Sequence, residues 1–432
     1  MTGTDSKGYL GLPELVAIGV GGMIGGGMFS IMGIAVGMSG HAAPLSFLLG
    51  SVISFFGAYC YIKLALKYRD DGASFTYLER AFPDKPVIAG IAGWTVVVGY
   101  IGTLALVSLT FGAYSAHLFG LSDSILAQRL LSLGVLALFM ILNIAGTATM
   151  GRVEDIIVYL KLLLLLVLIG VGFFTMNQNS ILPLINKGVP SIFFGGAIIF
   201  IAYAGFQFIT NAIMETRDPE RNIPRSIYLS IVIVSLIYVA IATISVGNLT
   251  PEALQGAKEY ALAVVAKPVL GRIGVILVDV AAILATSSAI NATLFGSSRL
   301  ASEMATESLA PSVFSFHTRK SSSPVVGIIV ITVLGAIFTS FSGLEAIASF
   351  SSMTFLLVLI GVAIACYRLR REISANGTPI IIGLVLMILV AIALGWNMAT
   401  TNPMSLVLTA GIYIVVAIAH FVFDRVRESK RA

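Results

Sequence analysis

The chain has 432 residues, 57% of them hydrophobic and only 11% charged, with a mean hydropathy of +0.98. A soluble domain carries about 25% charged residues, so this composition excludes an ordinary soluble enzyme or nucleic-acid-binding domain. The net charge of +5, from 26 Lys and Arg against 21 Asp and Glu, must therefore be read loop by loop across a bilayer.

Twelve apolar segments follow in chain order: residues 14–37, 42–66, 87–119, 129–147, 153–176, 191–213, 226–248, 272–298, 324–342, 345–367, 378–397 and 402–424. Most are long enough to cross a hydrocarbon core of about 30 Å as a helix. The polar tail from Thr2 to Gly8 is too short and too weakly basic for a secretory signal. An even count puts both termini on one side. Twenty of the 26 Lys and Arg fall in the N-tail, the even-numbered loops and the C-tail, and five in the odd-numbered loops, Arg129, Lys187, Lys258, Lys267 and Arg272. The positive-inside rule makes the crowded side cytoplasmic, with both termini there, in a multi-pass protein of the cell membrane. The terminal cluster Arg425, Arg427, Lys430 and Arg431 then faces anionic lipid, and the high pI needs no nucleic acid. Cys60 and Cys366 lie in apolar runs, without the spacing of a disulfide framework or a metal site.

Loop lengths reveal a repeat. Two loops of about twenty residues, after spans 2 and 7, stand five spans apart and each holds an amphipathic stretch, residues 73–82 and 253–266. An odd offset puts them on opposite faces, which is inverted-topology symmetry. The two halves cover about 14–176 and 191–367, with two additional spans within 378–424, all in one transmembrane domain of residues 1–432. Spans 1 and 6, which open the halves, are the ones whose helical pattern is interrupted: by Gly21, Gly22, Gly25, Gly26 and Gly27 in the first, and by Gly195, Gly196 and Gly205 in the second, with Tyr203 beside the last. Unwound peptide at mid-membrane survives only where it lines a cavity. At such a break one half-helix offers free N–H groups to a carboxylate, and the other offers carbonyls to an ammonium. Together they suit the head of an α-amino acid.

The residues themselves resemble a known family. Residues 22–29 (GMIGGGMF) resemble the first-helix motif of the amino acid, polyamine and organocation (APC) permeases. Residues 203–227 (YAGFQFITNAIMETRDPERNIPRSI) resemble their second signature, with Asp218 where relatives usually have Asn. A lysine in the fifth span, in residues 158–166 (VYLKLLLLL), is similar to the ApcT-type proton-coupled amino acid transporters. The resemblance implies an all-α LeuT-like fold of twelve helices with a 5+5 inverted repeat and discontinuous helices 1 and 6. By the same resemblance the substrate carboxylate meets the amides of Gly25, Gly26 and Gly27, and the ammonium meets carbonyls of Met23, Ile201 and Ala204. Relatives place a bulky aromatic gate where this chain has Ile201, so Phe200, Tyr203 and Phe206 are the gate candidates. Met23, Ile201, Phe206 and Ser108 are expected to border an apolar side-chain pocket.

Lys161 is the basic residue deep inside a span, on the order of 12 Å into the membrane at 1.5 Å per residue. Such a charge costs about 2.5–3.5 kcal/mol on insertion scales and usually faces a cavity and works; snorkelling to the interface is the plainer account. In sodium-coupled relatives a cation lies between spans 1, 5 and 8. An ammonium there would take the ion's place, with Thr286, Ser287 and Ser288 of span 8 facing it. The coupling ion is then the proton, with no structural sodium and no cofactor or metal. Asp279 is a weaker proton carrier, expected in the outer vestibule bonded to loop backbone. Glu345 reads as a helix-start acid. His41, His117, His317 and His420 stand at span ends, in solvated or capping roles. Glu215, Arg217, Arg221 and Arg225 form the loop after span 6, either for orientation and lipid contact or as an inner ion network.

No H-E-x-x-H or G-x-S-x-G constellation supports an intramembrane enzyme. The expectation is a secondary transporter, a proton-coupled symporter of neutral amino acids, with an amino acid or amine exchanger as the alternative and a channel as another class. Its partners are a small amino acid and the lipid bilayer.

Overall fold

The computed structural model describes residues 9–69, 73–145, 151–317 and 324–431; the tail from Thr2 to Gly8 lies outside them. Every element of any length is a helix. The first span is split into α1 (Leu12–Met23) and α2 (Gly26–Ser39). α3 (Ala43–Tyr68) is the second span, and α4 (Ala73–Ala81) is the amphipathic helix of the loop that follows. α5 (Pro86–Leu118), α6 (Ile125–Ile144) and α7 (Gly151–Thr175) are spans 3 to 5. The sixth is α8 (Pro190–Tyr203), a 3-10 turn Ala204–Phe206, and α9 (Gln207–Asn211). α10 (Pro219–Asn248), α11 (Pro251–Gly256) and α12 (Ala261–Thr306) follow. α13 (Val325–Phe341), α14 (Leu344–Leu369), α15 (Gly377–Thr401) and α16 (Pro403–Arg431) complete the chain.

Among the described residues, ten stretches are long and apolar enough to cross a bilayer, one of them the run Gly26–Tyr68. The shorter apolar helices α1 and α13 account for the remaining two of the twelve expected spans. Proline in the first turn starts α1, α3, α8, α10 and α11, where its missing N–H costs nothing and its φ is preset.

Two boundaries depart from expectation. α10 starts at Pro219 rather than at residue 226, because Asp218 takes a left-handed turn (φ 48°) that points Pro219 into a new helix. That conformation suits Asp or Asn, which accounts for an aspartate at the signature position. Span 8 opens where expected, because Gly271 (φ 66°, ψ −160°), three residues after Pro268, breaks helical geometry between residues 261–270 and the helix that follows, but that helix runs on to Thr306 instead of ending at residue 298. A helix-interior proline breaks the hydrogen-bond ladder, and glycine absorbs the resulting backbone turn. The stretch 253–266, expected as one amphipathic unit, is accordingly divided between α11, a 3-10 turn and the start of α12.

Burial sorts the helices. The most apolar window is 78% buried in α14 and 72% in both α5 and the sixth span, against 28% in α15 and 11% in α16. The two spans outside the repeat are therefore peripheral, turning leucine and isoleucine toward lipid, while the interrupted helices sit in the interior. At one end the chain straps them together: Leu10 N–H donates to the Glu215 carbonyl at 3.0 Å and Arg217 N–H to the Leu10 carbonyl at 2.8 Å.

Candidate functional site

The first span opens where the glycines predict. α1 ends at Met23, Ile24 (φ −82°, ψ 47°) and Gly25 (φ −91°, ψ −136°) leave helical geometry, and α2 restarts at Gly26. No side chain caps the start of α2, so its first-turn N–H groups are free of protein caps, as helix starts are without one. On the other side of the gap the final carbonyls of α1 have donors. Lys161 Nζ donates to the Gly21 carbonyl at 3.1 Å, and the Tyr238 hydroxyl donates to the Met23 carbonyl at 2.6 Å. The same hydroxyl lies 3.3 Å from the Ala202 carbonyl in the sixth span.

The sixth span is tightened rather than opened. Ala204 (φ −59°, ψ −19°) and Phe206 (φ −60°, ψ −24°) stay right-handed; Ala204 N–H donates to the Ile201 carbonyl and Gln207 N–H to the Ala204 carbonyl. The two carbonyls expected to be bare thus each carry one short-range hydrogen bond, with a second lone pair left over. Gly205 explains this geometry. A Cβ there would lie 2.4 Å from the Gly22 carbonyl carbon, 2.5 Å from its oxygen and 2.6 Å from the Met23 nitrogen. The two spans cross backbone to backbone, and glycine is required at the crossing. Close packing also claims Gly26 and Gly27, whose added Cβ would meet Val107 at 2.2 Å and the Ala202 backbone at 2.9 Å; at Gly25 the nearest atom is an ordinary 3.5 Å away.

A cavity of about 1350 Å³ runs from this crossing to the end of the molecule that holds the N-terminus. Met23, Gly25, Gly26, Gly27, Ile201 and Ala204 all line its deep part, and Glu14, Glu215, Arg299 and His317 line it further out. Beyond the crossing it stops: Met28, Phe29, Ile31 and Met32 of α2 are 0% exposed.

The gate candidates lie elsewhere. Phe200, Tyr203 and Phe206 are fully buried and do not line the cavity. The Tyr203 hydroxyl donates to the Phe47 carbonyl at 3.0 Å, and Phe206 stands edge-on to Tyr61 with ring centroids 5.6 Å apart. Both rings turn to α3, away from the first span. Ser108 is also outside the cavity, bonded to Thr339 at 3.0 Å. Among the aromatic residues that do line it are Phe75, Tyr100, Phe208 and Phe355, with Tyr100 and Phe355 in a T-shaped contact at 5.7 Å. Sequence gives no signal for these; they come from α4, α5, α9 and α14 and meet only in three dimensions.

Lys161 is 2% exposed and does not snorkel. Its ammonium turns into the protein, on the carbonyl of Gly21 behind the cavity wall. The facing surface of α12 is partly as expected. The Thr286 methyl lies 3.6 Å from where a Gly26 Cβ would be, but the Thr286 hydroxyl donates to the Ala282 carbonyl at 2.7 Å and that of Ser287 to the Ile283 carbonyl at 2.7 Å. Ser288 is the hydroxyl of the three that lines the cavity. Asp279 is not held by loop backbone. Its carboxylate pairs with His117 Nδ1 at 2.9 Å, and the His117 ring stacks on Tyr260 at 4.5 Å. That pair stands at the end opposite the cavity mouth. Histidine at a helix end carried no such sign in the sequence.

Comparison with known proteins decides the family. Residues 10–423 match the family model described as amino acid permease. The chain belongs to the amino acid permeases of the APC superfamily. It is 31% identical over 418 residues to an uncharacterized protein of Methanocaldococcus jannaschii, covering 96% of this chain and 95% of that one. It is 28% identical over 430 residues to the inner membrane transport protein YbaT of Escherichia coli, covering 98% of each chain. The branched-chain amino acid permease BcaP of Bacillus subtilis is 25% identical over 415 residues, 90% of this chain and 89% of that one. This permease is a multi-pass membrane protein of a family that moves amino acids.

Proposed function

We propose that the permease imports neutral amino acids by proton-coupled symport, through alternating access around the crossing of the first and sixth spans. The observation that carries this is the opened first helix on a cavity wall, with a buried lysine on the last turn before the opening. The substrate carboxylate sits at the amides of Gly25, Gly26 and Gly27, where the start of α2 supplies donors and positive dipole. The ammonium sits on the Met23 carbonyl and on the second lone pairs of Ile201 and Ala204. Tyr100, Val107, Phe208 and Phe355 bound the space for the side chain, and an apolar wall without a carboxylate favours a neutral one. Charge asymmetry puts both termini in the cytoplasm, so the cavity describes the inward-facing form. With Lys161 charged, its ammonium pins the Gly21 carbonyl; when it sheds the proton, that charge-assisted tie weakens to an ordinary hydrogen bond and the inner half of the bundle moves more easily.

Uptake of labelled alanine and leucine into proteoliposomes tests the reading. An imposed pH gradient, acid outside, drives accumulation in sodium-free buffer, and Lys161→Met abolishes the drive while retaining counterflow. Accumulation that follows a sodium gradient and ignores pH refutes the coupling. Flux that appears only with amino acid on both sides identifies an exchanger, and flux that never saturates identifies a channel.

A further inference from the structure

Several hydroxyls on the membrane helices find their partner at home. Ser54 of α3, Ser235 of α10, Ser297 of α12 and Thr354 of α14 each donate to the carbonyl four residues back on their own helix, the usual resort of a serine or threonine inside a helix. Ser352 of α14 turns elsewhere. Its hydroxyl crosses to the sixth span, where it donates to the Ile198 carbonyl at 2.8 Å while Ile201 N–H donates to it at 3.2 Å. Ser352 is 0% exposed and does not line the cavity, so it acts only through the backbone it holds.

Inside an α-helix an N–H has its partner four residues back. A hydroxyl set between the Ile198 carbonyl and the Ile201 N–H takes a share of that ladder, and insertion of a side chain is one of the few causes of a helix changing course. The change follows at once. The Ile201 carbonyl accepts from Ala204 N–H, three residues on rather than four, and the 3-10 turn Ala204–Phe206 begins. Ile201 is therefore held on both sides, by α14 through its N–H and by the tightened turn through its carbonyl, and it stands on the cavity wall. Three residues further along α14, on the same helical face, Phe355 lines the cavity too. Ser351 supplies the contrast: it is equally buried, its hydroxyl has no hydrogen-bond partner among the described residues, and it packs against Gly102, where an added Cβ would lie 2.4 Å from its oxygen.

We propose that Ser352 is a positioning residue of the transport site, whose hydroxyl holds the last turn of α8 so that the Ile201 carbonyl meets the substrate ammonium at the crossing. This rests on the transporter reading above and adds to it the group that sets the aim of one of its acceptors. Without the hydroxyl, the Ile198 carbonyl and the Ile201 N–H return to the ladder of α8. The fold then loses little, because no backbone group is left unpaired, while the Ile201 carbonyl turns back along the helix axis and away from the ammonium.

Saturation binding of labelled L-alanine and L-leucine to the purified full-length protein in nanodiscs, with thermal unfolding of the same samples, tests this. Ser352→Ala weakens both amino acids by the same factor, about tenfold, as expected for one hydrogen bond to a head that they share. Its unfolding temperature stays with that of Ser351→Ala, which binds both amino acids as the wild type does. Ser352→Thr keeps the hydroxyl and restores the affinity; where its extra methyl lowers the unfolding temperature, Ser352→Cys replaces it and falls between serine and alanine. Wild-type affinity in Ser352→Ala overturns the proposal. So does a loss that Ser351→Ala or the rescuing variant shares in full, or one that differs between alanine and leucine, since each marks a packing defect rather than a misplaced carbonyl. Absence of saturable binding and of saturable uptake in the wild type sinks the transporter reading instead.

Discussion

Gly205→Ala should be among the most damaging single methyls that can be added to this protein. The new carbon would lie 2.4, 2.5 and 2.6 Å from the carbonyl carbon and oxygen of Gly22 and the nitrogen of Met23. Carbon contacts are comfortable near 3.5–4.0 Å, so the overlap is on the order of 1 Å, and every clashing atom is backbone that no rotamer change can move. The two spans must separate at their crossing, which withdraws Ala204 and Ile201 from the first-span glycines. Overpacking a well-filled core costs typically 1–3 kcal/mol and occasionally more; three simultaneous backbone clashes put this case at about 3 kcal/mol or above. Gly296→Ala is the matched control. It lies in the interior of α12 with nothing within 4 Å of the added Cβ, so the gain in helix propensity, roughly 0.5–1 kcal/mol, is left unopposed. The two single-methyl variants should thus differ by about 4 kcal/mol with opposite signs. Thermal unfolding in detergent, followed by the fraction eluting as monodisperse protein, ranks them, and proteoliposome uptake reads the site. A Gly205→Ala protein as stable as the wild type with intact uptake would refute the backbone crossing and the site built on it.

Tyr238→Phe removes a buried hydroxyl that donates to the Met23 carbonyl at 2.6 Å, so stability should fall by roughly 1–2 kcal/mol in the same unfolding assay. Because the substrate ammonium is proposed to share that carbonyl, alanine affinity should shift as well; an unchanged affinity would separate Met23 from the site. His117→Gln and Asp279→Asn break a partly buried hydrogen-bonded pair at 2.9 Å. A double-mutant cycle should give a coupling of about 1–3 kcal/mol, and additive losses would show that the pair contributes nothing. Arg129 donates to the carbonyls of Thr339 and, at 2.9 Å, Ser342 at the end of α13. Since a cation bonded to the last carbonyls stabilises a helix end, Arg129→Met should cost about 1–2 kcal/mol, and no change would mean that water serves α13 equally well.

Span count, the opened first helix and the buried lysine were legible because each is a local departure from what a bilayer allows. Lys161 stands out in a run of leucines, and Gly25 to Gly27 interrupt a helix whose neighbours all favour continuing it. The sixth span was legible only in part. A glycine beside an aromatic is the same string whether the helix opens or tightens, and the outcome is set by Gly22 on another span, against whose backbone Gly205 must fit. The start of the eighth span was legible as well: hydropathy falls across Lys267 to Arg272, where Pro268 disturbs the ladder and Gly271 leaves helical geometry. The aromatic gate candidates fall outside the cavity because proximity in sequence does not fix direction. Residues 200, 203 and 206 differ from 201, 205 and 208 by one or two places, about 100° each around a helix, enough to face α3 instead of the cavity. What no local rule supplies is the pairing of surfaces from distant spans.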